Sequence, residues 1–243
     1  MEFEEPAIVL AARTYGEVGA IVEALTEARG KWAAHVAGGA SRRLKPALQP
    51  GAKVSFAYRA RVADQLGSAR IEPLGEGPAA LFDDPTALAG LAAAAAVVAQ
   101  ALPEREPHPG VFLAFEALTL ALAEAAIWPA VMVRFEAGLL ADLGFGLDLS
   151  TCAVTGSTDD LVYVSPRTGR AVSAAAGEAY KDRLLALPLF LLSSQSRLAP
   201  GDIAAGLALT GHFLQTCVFN ALNRPLPPAR ERMIDRLRES GRL

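Results

Sequence analysis

The first 74 residues alternate short apolar runs with turns that contain glycine or proline. In residues 53–60, Val54, Phe56 and Tyr58 occupy every second position, which is typical of a strand buried on one face. Four further short runs of similar apolar content lie at residues 7–12, 20–25, 31–37 and 69–73. Five short strands with this punctuation predict a small closed or nearly closed β-barrel.

The pattern changes after Pro73, where long segments rich in alanine and leucine take on helical spacing. A glycine- and proline-rich turn at residues 74–78 predicts the boundary between the two patterns. The sequence therefore predicts an α+β fold with two domains. The first is a β-barrel at residues 1–77, and the second is a mainly helical domain at residues 78–243.

Helix signals punctuate the second domain. Asp84 followed by Pro85 predicts a helix start, with Asp84 as N-cap and Pro85 at the first helical position. Further helices are predicted at residues 108–126, 129–143, 200–220 and 227–239. Residues 144–176 differ, because they are rich in glycine, serine, threonine and aspartate and contain only one strand-like run, at residues 161–164.

Two apolar stretches raise the question of a membrane span. Residues 88–102 are shorter than the ~20 residues that a span needs, and residues 111–133 carry Glu116 and Glu124 in mid-segment. Buried, alanine-rich helices explain both stretches, so we expect no membrane association. The acidic N-terminus lacks the basic region of a signal peptide, and the two cysteines are too few for a disulfide framework. These features predict a cytoplasmic protein.

The formal net charge of −3 conceals a strong asymmetry along the chain. Residues 28–74 hold nine basic and two acidic side chains, whereas residues 75–223 hold seven basic and fifteen acidic ones. Residues 224–243 again have a basic excess, with six arginines and three acids. A basic barrel followed by an acidic helical segment is typical of a protein that binds nucleic acid through the barrel.

The basic side chains of the predicted barrel indicate a phosphate-binding surface. Arg42, Arg43 and Lys45 belong to one loop, while Arg59 and Arg61 lie two apart near a strand end and would share a face. Tyr58 is in phase with Val54 and is predicted in the core. The candidate DNA-binding residues are Lys31, Arg42, Arg43, Lys45, Arg59 and Arg61. Cations of this kind bind the backbone, so no sequence specificity is expected.

No catalytic, nucleotide-binding or metal site is predicted from local motifs. The sequence contains neither a G-x-S-x-G nucleophile motif nor a P-loop. Cys152 begins a zinc-knuckle-like segment, but Thr155 stands where a second cysteine would be, and a structural zinc site needs four ligands. We therefore expect no cofactor and no metal. An enzyme whose site assembles from Asp148, Asp159 and Asp160 remains an alternative, although such residues more often cap turns.

Arg134 is a single cation in an apolar helical segment. One interpretation is a structural ion pair with Glu116 or Glu136. The other is an apolar groove in which one arginine binds the carboxylate of an acidic, hydrophobic peptide.

The ordered combination of short motifs resembles one known family. The motifs are Tyr15-Gly16-Glu17, Gly38-Gly39-Ala40-Ser41-Arg42-Arg43, Trp128-Pro129, Val133-Arg134-Phe135-Glu136, Leu143-Gly144-Phe145-Gly146, Cys152-Ala153-Val154-Thr155-Gly156 and Val164-Ser165-Pro166-Arg167-Thr168-Gly169. In order and spacing, and over nearly the whole chain, they resemble the RecO family of bacterial recombination mediators.

The resemblance implies an N-terminal OB-fold followed by a helical domain. It implies a non-enzymatic protein of the nucleoid that binds single- and double-stranded DNA, promotes strand annealing and, with RecR, helps to load RecA onto DNA coated by single-strand-binding protein. Arg134 matches the arginine with which some members hold the acidic C-terminal tail of that coating protein. Some members carry a four-cysteine zinc module near Cys152, where Thr155, Ser173 and Ala176 stand here, so a metal-free version at residues 144–176 is expected. A structural interaction module that does not bind DNA remains a further alternative.

Overall fold

The computed structural model describes residues 1–62, 65–75, 77–81, 83–193 and 195–243. Asp64, one of the acids counted above, and Glu76, in the predicted boundary, lie outside these residues. Contacts divide the chain into two compact units, Met1–Ala125 with Pro227–Arg236 and Ala126–Leu226 with Leu237–Leu243. The first unit contains the predicted barrel and also helices that follow residue 77. The domain boundary between residues 77 and 78 stays a prediction.

Five strands close into a barrel in the first unit, as predicted. They are β1 (Glu2–Tyr15), β2 (Gly19–Thr26), β3 (Gly30–Val36), β4 (Lys53–Arg59) and β5 (Gly67–Pro73). Their order around the barrel is β1-β2-β3-β5-β4, with a parallel pairing between β3 and β5 and antiparallel pairings elsewhere. β1 has 14 residues, and it pairs with β4 through its first half and with β2 through its second half. A bulge between Val9 and Ala11 bends the strand where it passes from one neighbour to the other. The predicted barrel is confirmed.

The barrel core follows the alternation seen in the sequence. In β4 the side chains of Val54, Phe56 and Tyr58 are buried, while those of Lys53 and Arg59 are exposed. Phe3 stacks on Tyr58 with ring centroids 5.1 Å apart, and Trp32 meets the same ring at 4.9 Å. Aromatic pairs of this kind add about 1 kcal/mol each to the stabilisation from apolar burial. The prediction that Tyr58 belongs to the core is therefore confirmed.

The close packing of the aromatic core requires a glycine at the start of β5. A Cβ atom at Gly67 would lie only 2.4 Å from the ring of Tyr58. A side chain at this position would therefore displace the tyrosine or the short parallel pairing with β3, where Ala34 is opposite Gly67. The close approach explains why glycine opens this strand.

Six α-helices occur in the described residues. They are α1 (Pro85–Ala101), α2 (Pro109–Ala121), α3 (Trp128–Asp142), α4 (Ala174–Gly177), α5 (Asp202–Phe213) and α6 (Pro228–Glu239). The predicted start of α1 is confirmed, since the Asp84 carboxylate accepts hydrogen bonds from the backbone N–H groups of Thr86 and Ala87 at 2.9 and 3.1 Å. Within the described part of the chain, no helix has both the length and the apolar content of a membrane span.

In the second unit, three short strands form a sheet in the order β7-β6-β8. They are β6 (Leu161–Val164), β7 (Ala171–Ser173) and β8 (Leu185–Ala186). The prediction of a single strand in residues 144–176 was therefore incomplete, because β7 also lies in that segment. All three residues of β7 are buried, so the strand shows no alternation that the sequence pattern could reveal.

Helices α3 and α5 pack closely in the same unit. Gly206 of α5 faces Val133 of α3, where an added Cβ would come within 2.8 Å of the valine methyl group. Four residues further along α5, the Thr210 hydroxyl donates a hydrogen bond to the buried carboxylate of Glu136. The predicted helix at residues 200–220 is observed as α5 followed directly by a π-helical segment, Leu214–Phe219.

Candidate nucleic-acid interface and peptide groove

The predicted basic loop lies between β3 and β4 and is exposed. Arg42 and Arg43 occupy a turn, and Lys45 begins a short 3₁₀ helix, Lys45–Leu48. The backbone N–H of Ala40 donates to the carbonyl oxygen of Val18 at 3.1 Å, which places the loop beside the turn from β1 to β2. Among the described residues, no carboxylate pairs with any of these three cations. Their charges are therefore available to an anionic partner.

Arg59 and Arg61 lie at a second place on the barrel, where β4 ends. β5 pairs through Ser68 with both Arg59 of β4 and His35 of β3. This junction forms a depression of about 540 Å³, and its lining includes His35, Arg59, Arg61 and Ser68. In the part of the chain that the structure describes, neither arginine forms an ion pair. The prediction that these two arginines lie near a strand end is confirmed. In the described residues, they line a different cavity from Lys45 of the basic loop.

Lys31 differs from the other predicted DNA-binding residues because it is buried. The residue is only 8% exposed, and its ammonium group donates a hydrogen bond to the carbonyl oxygen of Ala99 near the end of α1. Since helix C-terminal carbonyls lack partners inside the helix, this bond both satisfies a backbone acceptor and neutralises the negative end of the helix dipole. Lys31 therefore connects β3 to α1, and we do not include this residue in the proposed DNA surface.

The barrel presents few aromatic faces beside these cations. Phe3, Trp32, Phe56 and Tyr58 all point into the core, whereas Tyr15 at the end of β1 is 55% exposed. Stacking on successive bases requires exposed aromatic rings. The described surface is therefore suited to contacts with the sugar–phosphate backbone and offers little for base stacking.

A groove of about 460 Å³ in the second unit contains Arg134. One wall is the outer face of α3, where Ala137, Gly138 and Ala141 follow Arg134. The remaining lining residues come from the loop after α3 and from a short 3₁₀ helix with the residues that follow it. They are Gly146, Leu147, Leu149, Leu191, Leu192 and Ser193. We call this cavity the Arg134 groove. Small side chains on one wall and leucines on the other leave room for a narrow apolar ligand.

The guanidinium of Arg134 is held at one end of its groove by backbone carbonyls. Its Nη2 atom donates to the carbonyl oxygen of Phe190 and, at 3.3 Å, to that of Ser193. Both bonds involve Nη2, so Nε and Nη1 keep donors for an incoming acceptor. The interpretation of Arg134 as an ion-pair partner of Glu116 or Glu136 is not supported, because Glu116 pairs with Lys53 and Glu136 accepts from Thr210.

The structure brings together Cys152, Thr155 and Ser173, three of the four positions that the zinc-module resemblance names. The backbone N–H and the hydroxyl of Ser173 donate to Sγ of Cys152, at 3.3 and 3.5 Å. Hydrogen bonds from Ser173 and Thr155 lower the pKa of the Cys152 thiol to about 6. No cluster of three or more metal-ligating side chains occurs in the described residues. At this site, hydrogen bonds to the sulfur fix the loop that begins at Cys152.

Two of the three acids considered for a catalytic site, Asp148 and Asp160, lie in turns. The Asp148 carboxylate accepts from the hydroxyl of Ser150 at 2.7 Å and pairs with Arg170, and the bonds from Ser150 lower the pKa of Asp148. Asp160 has a positive φ of 54°, a turn conformation that aspartate tolerates. The geometry therefore supports the turn-forming interpretation of these acids.

The first unit also contains a groove of about 630 Å³ that no sequence pattern predicted, and we call it the β1 groove. It runs along residues 10–14 of β1, faces the alanines of α1, and is lined by the cations Arg13, Lys45 and Arg232. Arg13 lies outside the basic segment at residues 28–74, and Arg232 lies more than 200 residues further along the chain. Charge counts over sequence windows could not place these two arginines together.

Two family models match the chain. The model described as "Recombination protein O N terminal" matches residues 1–74, and that described as "Recombination protein O C terminal" matches residues 83–225. The chain is 74% identical to the DNA repair protein RecO of Phenylobacterium zucineum, over all of both chains. It is 68% identical to the RecO of Caulobacter sp. strain K31, also over all of both chains, and 48% identical to that of Rhodospirillum centenum, over 99% and 96% of the two chains. The chain therefore belongs to the RecO family, whose matched members are named as DNA repair proteins.

Proposed function

We propose that this chain is a DNA-binding mediator of recombinational DNA repair and not an enzyme. The observation that carries the proposal is the set of exposed barrel cations without acidic partners among the described residues, namely Arg42, Arg43, Lys45, Arg59 and Arg61. Unpaired cations on a compact barrel attract the phosphates of nucleic acid and release bound counterions, which is the main source of non-specific DNA affinity.

The proposed surface binds both single- and double-stranded DNA. Arg42 and Arg43 belong to an exposed turn that can follow a phosphate backbone of either geometry, and the barrel core retains nearly all its aromatic rings. Because such contacts do not read base edges, the affinity depends on charge and hardly on sequence. A protein that neutralises the phosphates of two complementary strands lowers their repulsion. This supports the further proposal that the chain promotes strand annealing.

The Arg134 groove is the proposed site for the acidic C-terminal tail of single-strand-binding protein. A carboxylate accepts hydrogen bonds from Nε or Nη1 of Arg134, while an apolar side chain enters between α3 and the leucines that line the groove. The match between this lining and an acidic, apolar peptide supports the proposal. Through this contact the protein reaches DNA that is already coated, and with RecR it helps RecA to replace the coating protein.

The DNA proposal is tested by charge reversal of the basic loop. Binding of a fluorescent single-stranded oligonucleotide is measured by anisotropy at several salt concentrations, for the unaltered chain and for Arg42→Glu/Arg43→Glu/Lys45→Glu. Loss of three phosphate contacts is expected to reduce the slope of log K against log salt by about 2 and the affinity by roughly 100-fold. Arg167→Glu/Lys181→Glu/Arg183→Glu is the charge-matched control, because these three exposed cations lie in the second unit. Unchanged binding in the triple variant contradicts the assignment of the loop.

A further inference from the structure

We propose that the β1 groove binds an extended acidic peptide by adding it as a strand to the free edge of β1. The groove lies entirely within the first unit and is independent of the proposed DNA loop except for Lys45, which lines it. The free backbone edge of β1, the alanine wall opposite it and the charges of the groove each favour such a peptide.

The free edge follows from the pairing of β1. Residues Glu2 to Ile8 pair with β4 on one side, whereas Ala11 to Tyr15 pair only with β2 on the other. Beyond the bonds between Val9 and the Gly51–Ala52 segment, no described residue pairs with the outer edge of Ala11–Thr14. Alternate residues of a strand direct N–H and C=O groups towards each side. The β1 groove therefore exposes backbone donors and acceptors of the kind that an added strand satisfies.

The wall opposite this edge is made of alanines. Ala92, Ala96 and Ala99 recur at spacings of four and three along α1, so they lie on one helix face. All three are partly exposed, and their small side chains leave a channel beside the strand edge. A channel with an alanine wall admits a peptide backbone with small or branched side chains. The described lining residues include no aromatic ring on which a nucleotide base could stack.

The charges along the β1 groove set the chemistry of the partner. Arg13, Lys45 and Arg232 line the groove with the single acid Glu23, and the described residues provide no ion-pair partner for any of these four side chains. Three cations against one carboxylate complement a peptide that carries several acidic side chains. Backbone pairing supplies the orientation, and the cations supply the selectivity for acidic sequences.

The test measures binding of a fluorescein-labelled peptide of alternating glutamate and valine residues to the full chain by anisotropy. A second peptide has the same sequence with N-methyl groups on alternate residues, which removes backbone donors but keeps every charge. We expect the unmodified peptide to bind roughly tenfold or more tightly than the N-methylated one, because backbone hydrogen bonds are lost. Arg13→Glu/Arg232→Glu is expected to weaken binding of the unmodified peptide roughly tenfold or more, since two attractive contacts become repulsive. Arg70→Glu, elsewhere on the barrel, is the control, and its effect is compared with that of Arg13→Glu alone, which makes the same change in charge.

A further variant blocks the channel without changing charge. Ala96→Phe places a ring opposite the strand edge and is expected to abolish peptide binding, while circular dichroism reports whether the fold is retained. Equal binding of the two peptides, or no binding of either, overturns the proposal. The proposal is also overturned if neither peptide binds and the Arg13→Glu/Arg232→Glu variant loses binding of the oligonucleotide. That result would assign the groove to DNA. Because the Arg42→Glu/Arg43→Glu/Lys45→Glu variant is read separately, failure here leaves the proposed DNA surface intact.

Discussion

The two units use arginine in different ways. Arg42, Arg43, Arg59 and Arg61 of the barrel are not held by any described partner, whereas two backbone carbonyls hold the guanidinium of Arg134. A cation that no partner holds can contact phosphates at many positions, and its contribution depends mainly on its charge. A fixed guanidinium presents its remaining donors in one direction and depends on its planar geometry. The difference teaches that the barrel is suited to a polymer of uniform charge and the second unit to one shaped ligand.

Other polar groups extend this contrast. In the second unit, the Cys152 sulfur accepts from Ser173, and the Glu136 carboxylate accepts from Thr210. These groups are buried and oriented by their neighbours. The conformational entropy of such groups is lost during folding. Binding of a ligand therefore does not have to offset that loss a second time.

Arg134→Ala gives the largest effect expected from this contrast. Among the described residues, Arg134 is the only cation that lines the Arg134 groove. Binding of a labelled peptide that carries an acidic, apolar tail of single-strand-binding protein is therefore expected to fall roughly 30-fold. Anisotropy of the labelled peptide measures the effect, and oligonucleotide binding by the same variant is the control. If DNA affinity falls as much as peptide affinity, the two sites are not separate.

Part of this arrangement could be predicted from local sequence. The alternation of Val54, Phe56 and Tyr58 predicted β4 and its buried face, and Asp84 before Pro85 predicted the start of α1. These features depend on neighbours within a few residues, which a one-dimensional pattern contains.

Features that depend on distant residues could not be predicted in the same way. The burial of Lys31 arises from the carbonyl oxygen of Ala99, 68 residues away, which no local pattern contains. The β1 groove requires Ala229 and Arg232 of α6 to lie near Arg13, which is more than 200 residues away in sequence. The partners that hold Arg134 are backbone carbonyls, for which the residue types at Phe190 and Ser193 give no signal.

Exchange of arginine for lysine sharpens the contrast at constant charge. Arg134→Lys is expected to lower peptide affinity about tenfold, because one ammonium group cannot hold the carbonyl of Phe190 and also present a planar pair of donors. Arg42→Lys/Arg43→Lys is expected to change oligonucleotide affinity by less than about twofold, since phosphate contacts there depend on charge. The two variants are compared in the same buffers by anisotropy. Equal tolerance at both sites would remove the distinction between held and unheld arginines.

The last expected effect concerns the pH dependence of stability at Cys152. Hydrogen bonds from Ser173 and Thr155 lower the pKa of this thiol from an ordinary value of 9.0 to about 6 in the folded chain. A group whose folded pKa is depressed adds stability above its unfolded pKa and loses that stability as the pH falls through the folded value. The free energy of unfolding of the unaltered chain is therefore expected to rise, relative to Cys152→Ala, between about pH 6 and pH 9. Denaturant unfolding of both proteins across this range, under reducing conditions, measures the difference. If the difference in the free energy of unfolding between the two proteins does not change with pH, Ser173 donates to a neutral thiol. Cys152 would then be an ordinary buried packing residue.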